Sequence, residues 1–288
     1  MKIAFLILAH KNPNQLTQLV EQLSHTETEI YIHIDKKSDL SIFKNEFNRA
    51  NIHPKLLVQK VDIIYSSITY IDATYYLIKK AKYDGCDYFV LLSGLDLPLR
   101  PVDEIVSFFK KQRNTDFFDY IEMPNKNLVY SGKTRTEYYN FKIRKKMETL
   151  FPPKEIQHQM SWKGKLLNWF LLFKSRGKTK REFPLGMTPY YSSQWWCMSL
   201  KSITYIIEFL EKNPEYYDYH KKALHPEEMF FQSIILNSER KINVVNDNKR
   251  YIRWKEGKKH PELIGLDELN EIRKVSNDLF ARKFDLKY

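Results

Sequence analysis

The sequence predicts an α/β fold, a mostly parallel sheet with helices on both of its faces. Three observations carry that prediction. Short apolar runs recur through residues 1–117, helix-spaced segments lie between several of them, and the runs end in polar residues. A chain of 288 residues with 43% hydrophobic content can bury one large core. A single domain is expected, with residues 1–117 as one half, 118–288 as the other, and a basic, aromatic insertion at about 142–182.

The first run, IAFLILA at residues 3–9, reads as a buried strand. It follows one lysine and precedes no clear small-residue cleavage site, so a secretion signal is not expected. No stretch approaches the roughly 20 apolar residues of a membrane span, and no membrane anchor is expected. Asn12 is expected to cap a helix beginning at Pro13. Leu16, Leu19, Val20 and Leu23 then share one helical face. EIYIHID (29–35) is the second strand, KLLVQ around Leu57 the third, residues 67–82 a helix, and DYFVLLSG (87–94) a further strand. The expected order is β-α-β-β-α-β.

Ligands of such sheets bind beyond the carboxyl ends of the strands, where His10, Asp35 and Asp96 fall. Turns also collect Asp and His for their own geometry, so position alone does not make these residues ligands. The chain contains neither GxGxxG nor GxxxxGK[ST], which removes the standard dinucleotide and P-loop readings. Cys86 and Cys197 form no disulfide framework or metal cluster, and a reducing compartment is expected.

The net charge of +12 is uneven, with twelve Lys/Arg against three Glu at 142–182. Such a surplus points to an anionic partner: phosphate groups, nucleic acid or an acidic membrane surface. Within it, SWKGKLLNWFLLFKSRGKTKR interleaves Trp162, Leu166, Leu167, Trp169, Phe170 and Phe173 with Lys163, Lys165, Lys174 and Arg176. That composition fits a helix lying in a membrane interface, and equally a helix that packs its aromatics inward. A basic protein binding nucleic acid or membrane without catalysis is the alternative reading. No RRM, KH or helix-turn-helix signature supports nucleic acid.

Pro226 reads as the first residue of a helix, with Glu227 and Glu228 in its first turn and Met229, Phe230, Phe231, Ile234 and Ile235 buried. The helix dipole favours such acids, and a carboxylate at the mouth of a buried helix is also placed to be a general base. Trp195 and Trp196 suit either a core or a sugar-stacking face, and Lys283 alone would be an ordinary surface charge.

Taken in order, IHIDKK, YFVLLSGLDLPLR, YSSQWWCMS, HPEEMFFQSIILNS and LFARKFD resemble the core-2/I-branching enzymes, glycosyltransferase family 14. The family is best known for β-1,6-N-acetylglucosaminyl transfer and protein O-xylosyl transfer. The resemblance implies a GT-A-type fold on a Rossmann-like sheet, a UDP-sugar donor and an inverting displacement without a divalent metal or other cofactor. It implies Glu228 as the catalytic base, with Glu227 as fallback. It implies Lys283 as a cation for the leaving diphosphate, with Lys258 as its nearest second candidate and Lys259 and Arg253 as others. Leu8, His10, Asp35 and Tyr65 would hold the nucleotide, Asp96 and Trp195 would contact or shape the donor-sugar pocket, and Glu122 and Trp254 would bind the acceptor. His33 is expected to pack at its strand end. The donor sugar implied is N-acetylglucosamine, else xylose, glucose or galactose, and the acceptor a glycan or glycolipid. A bacterial, cytoplasmic protein touching the inner membrane face is expected.

Overall fold

The computed structural model describes residues 1–144, 146–152, 161–255 and 260–286. The first strands are β1 (Ile3–Ala9), β2 (Thr28–Ile34), β3 (Leu56–Val58), β4 (Tyr88–Ser93), β5 (Asp96–Pro98), β6 (Asp116–Phe117) and β7 (Ile121–Glu122). Later ones are β8 (Asn140–Ile143), β9 (Lys146–Thr149), β10 (Tyr190–Tyr191), β11 (Cys197–Ser199), β12 (Val244–Val245), β13 (Arg250–Ile252) and β14 (Phe280–Arg282). A seven-stranded sheet runs β12-β6-β11-β4-β1-β2-β3. Its pairs are parallel except those of β11, which lies antiparallel between β4 and β6.

The helices are α1 (Pro13–Leu23), α2 (Leu40–Arg49), α3 (Thr69–Tyr83), α4 (Val102–Lys111), α5 (Lys133–Thr136), α6 (Trp162–Lys174), α7 (Leu200–Lys212), α8 (Pro214–His220), α9 (Phe230–Leu236) and α10 (Leu269–Val275). All seven residues of β1 are buried because helices cover both sides of the sheet. Ile3, Phe5 and Ile7 pack with residues of α1, α2 and α4, while Ala4, Leu6 and Leu8 pack with residues of α3, α7 and α9.

The expected strands of the first half all form, and Leu16, Leu19, Val20 and Leu23 are buried on α1. The expected β-β step is corrected by α2, which crosses between parallel β2 and β3. That helix buries only Phe43 and Phe47 and starts on Asp39, whose side chain accepts from the Ser41 amide. Asn12 does hold the cap position, but its side chain makes no capping bond; its amide donates to Asp285 Oδ1 at 2.7 Å instead. The expected helix at Pro226 is also divided. Pro226–Glu228 form a separate 3-10 turn, and α9 begins after Met229, whose backbone is not helical.

A second sheet, β13-β14-β5, brings the chain's end against the end of β4. Arg282 stands opposite Asp96 in its register. Gly94 permits this turn to sit tightly over β1, since a Cβ there would lie 2.8 Å from that of Ala9.

Candidate active site

A cleft of about 610 Å³ opens at the carboxyl ends of β1, β2 and β4. Among the expected site residues, Leu8, His10, Asp35, Tyr65, Trp195, Glu228, Trp254 and Lys283 all line it. Lys258 and Lys259 lie outside the described residues. Glu122 is exposed on β7 and is not in the lining, so the cleft gives the proposed acceptor role no support.

Asp35 follows β2 and turns its carboxylate back into the loop. Oδ1 accepts from the amides of Lys37 and Ile63, and Oδ2 lies 3.0 Å from Lys37 Nζ. Burial and the neighbouring Lys11 lower the pKa of His10, which favours the neutral ring. His33 packs as expected, fully buried, with Nε2 accepting from the Lys60 and Val61 amides. Burial lowers its pKa to about 4.

Asp96 is fully buried and is not in the cleft lining. Oδ2 accepts from the Ser93 amide at 2.9 Å, and Oδ1 lies 3.7 Å from Arg282 Nε. Burial raises its pKa, opposed by Arg282 and that amide. Arg282 does line the cleft, its guanidinium 4.1 Å from the centre of the Trp195 ring. Of the two readings of Asp96, direct donor contact and pocket shaping, this geometry supports shaping through Arg282. The adjacent tryptophans divide the same way: Trp196 is in the core, while Trp195 faces the cleft beneath Arg282.

Removing one partner of a buried ion pair leaves the other charge uncompensated. Asp96→Asn is therefore expected to cost about 3 kcal/mol of stability, read by thermal denaturation, with activity falling only as Arg282 shifts. Loss of activity at unchanged melting temperature would make Asp96 a direct donor contact.

Lys283 follows Arg282 into the cleft. Burial lowers its pKa, and the neighbouring cations Lys11 and Arg282 lower it further. Cations crowded in a partly buried cleft favour an anion between them. Arg253, an expected alternative, is not in the lining; it is engaged by Glu262 at 3.3 Å and by Glu268. Arg282 adjoins Lys283 in ARKFD, but the resemblance assigns it no role. Among the described residues, no group of three or more His, Cys, Asp or Glu is placed to hold a metal ion.

Glu228 is presented by the 3-10 turn after His225, whose backbone is left-handed at φ 50°. Arg135 donates to its Oε2 from Nη2 at 2.6 Å and from Nε at 3.1 Å. This guanidinium, from α5, lies 5.1 Å from the Tyr191 ring centre. No sequence motif marked Arg135, which lies 93 residues from Glu228 along the chain. Glu227 is 7% exposed, with Oε1 3.1 Å from His225 Nδ1. Ser66 Oγ lies 3.0 Å from the other ring nitrogen, and Tyr65 packs edge-on against the ring. Burial raises the Glu227 pKa. Burial works against a charged His225, but Glu227 and Glu228 outweigh it and raise the ring's pKa. Glu228 leaves Oε1 without a protein hydrogen bond among the described residues.

A carboxylate and paired cations lining one cleft at the carboxyl edge of a mostly parallel sheet form a site suited to group transfer from an anionic donor. The chain belongs to the core-2/I-branching enzyme family, whose model matches residues 3–281. The α/β architecture is the GT-A-type one expected for that family.

The chain is 24% identical over 265 residues to xylosyltransferase 1 of Rattus norvegicus, covering 88% of this chain and 28% of that protein. Xylosyltransferase of Ciona intestinalis is 22% identical over 99% of this chain and 32% of its own length. The chain thus spans roughly a third or less of these curated relatives. Among solved structures, the 4-diphosphocytidyl-2C-methyl-D-erythritol synthase of Anaerococcus prevotii matches with a TM-score of 0.41 at 13% identity over 95% of each chain.

Proposed function

We propose that the protein is an inverting glycosyltransferase that moves a sugar from a UDP-sugar to a hydroxyl of a glycan or glycolipid, without a divalent metal. The observation that carries this reading is convergence. Asp35, Glu228, Arg282 and Lys283, from three distant parts of the chain, line one cleft. Asp35, with Leu8, His10 and Tyr65, holds the nucleoside, and Tyr65 offers an exposed ring to the base. Trp195 offers its cleft-facing surface to the donor sugar and Trp254 an exposed ring to the acceptor.

Glu228 takes the proton of the acceptor hydroxyl as that oxygen forms its bond to the anomeric carbon. The bond from that carbon to UDP breaks on the opposite face, and its electron pair leaves on the diphosphate. Lys283 and Arg282 stabilise the charge that develops there. N-acetylglucosamine is the donor sugar of this reading, and the relatives' names bring xylose forward as its first rival. The enzyme works in the cytoplasm, at the inner membrane face.

Calorimetry with UDP in the presence of EDTA tests the donor half of the reading. Binding is expected without added metal, and addition of Mn²⁺ is expected to leave it unchanged. Binding that appears only with Mn²⁺ would refute metal-free recognition.

A further inference from the structure

The apolar face of α6 points away from the protein. At 3.6 residues per turn, Trp162, Leu166, Trp169, Phe170 and Phe173 fall within an arc of about 100°. All five are exposed, Trp162 by 71%, Trp169 by 66% and Phe173 by 77%. The opposite side carries the contacts that fix the helix. Leu171 is buried against Phe141 and Leu150 of the β8–β9 hairpin region, and Asn168 is buried with its amide bonded both ways to the Phe151 backbone. The usual amphipathic arrangement, apolar in and polar out, is therefore reversed in its outer half. Lys163, Lys165 and Lys174 are exposed at the margins of the apolar arc, and Arg176 and Lys178 follow the helix exposed. Thirteen residues span only about 20 Å, short of the roughly 30 Å hydrocarbon core. Among the described residues, no helix is long and apolar enough to cross a membrane.

We propose that α6 docks the protein on an anionic lipid bilayer, lying in the interface plane with its aromatic arc among the acyl chains and its lysines at the headgroups. Charge complementarity selects this occupant. An apolar arc whose charged neighbours on α6 are all cations suits a negatively charged lipid surface, whereas a second copy of the same face would bring those lysines against each other. The hairpin under α6 also carries Lys142 and Arg144 into the cleft lining. Docking by α6 therefore sets the cleft beside the lipid surface, which deepens the proposed function by making the acceptor one presented from a membrane.

The test is flotation with vesicles of phosphatidylcholine alone or with phosphatidylglycerol added, for the wild-type chain, Trp169→Glu/Phe173→Glu and Lys163→Glu/Lys165→Glu. The wild-type protein is expected to float with anionic vesicles and to be released by high salt. Each double variant is expected to lose ~tenfold or more of this binding, with unchanged melting temperature and unchanged UDP release from a soluble donor. Equal binding to neutral vesicles, or undiminished binding by the variants, would overturn the proposal. So would a wild-type chain that ignores vesicles and self-associates in solution through this face. Vesicle binding without UDP release would sustain docking and refute the transferase reading; UDP release without vesicle binding would do the reverse.

Discussion

Glu228→Gln is expected to bind UDP as the wild-type protein does and to transfer sugar about 10²- to 10⁴-fold more slowly. The amide keeps an oxygen to accept from Arg135, so the turn that presents residue 228 should hold its shape. What it lacks is a basic oxygen for the acceptor proton. In the wild-type site Arg135 engages only Oε2, which fixes the carboxylate plane and leaves Oε1 for the acceptor. Glu227 supplies the internal control. One of its oxygens is committed to His225, and its side chain is nearly buried. A Glu227→Gln variant that is dead beside an active Glu228→Gln variant would move the base to Glu227.

Lys283→Ala is expected to raise the barrier by about 2–4 kcal/mol, or roughly 30- to 1,000-fold in rate. The pH profile gives a second reading of the same residue. Burial and the nearby Lys11 and Arg282 depress the Lys283 pKa below the usual lysine range. The protonated form is the one that meets the diphosphate, so kcat/KM, which reports the free enzyme, falls as pH rises through that depressed value. Bound diphosphate favours the charged ammonium and moves the corresponding limb of kcat to higher pH. Lys283→Arg keeps its charge throughout, and its alkaline limb is expected to move upward or vanish.

The sheet was legible because its first strands are apolar on both faces, as the unbroken IAFLILA run shows. Helix α2 was not, since Phe43 and Phe47 are its only buried side chains and leave no apolar stripe to detect. The lining residues at the ends of β1 and β2 followed from position along the chain, but Asp96 did not. Its setting depends on pairing with Arg282 across two distant strands, and no local pattern encodes that register. The same limit hid Arg135, which reaches Glu228 from far away in sequence. It also left Trp195 and Trp196 undivided, because adjacent residues of an extended segment point to opposite sides. In α6 the spacing defined an apolar arc, but whether that arc faced inward depended on Asn168 and Leu171 anchoring the other side.

The most direct measurement is UDP release from a panel of UDP-sugars by the wild-type chain and Lys283→Ala, in EDTA and again with Mn²⁺. The account predicts release from one donor in EDTA, no gain from Mn²⁺, and loss of that release in Lys283→Ala. Release by the wild-type chain only after Mn²⁺ is added, or a Lys283→Ala variant as fast as wild type, would contradict it.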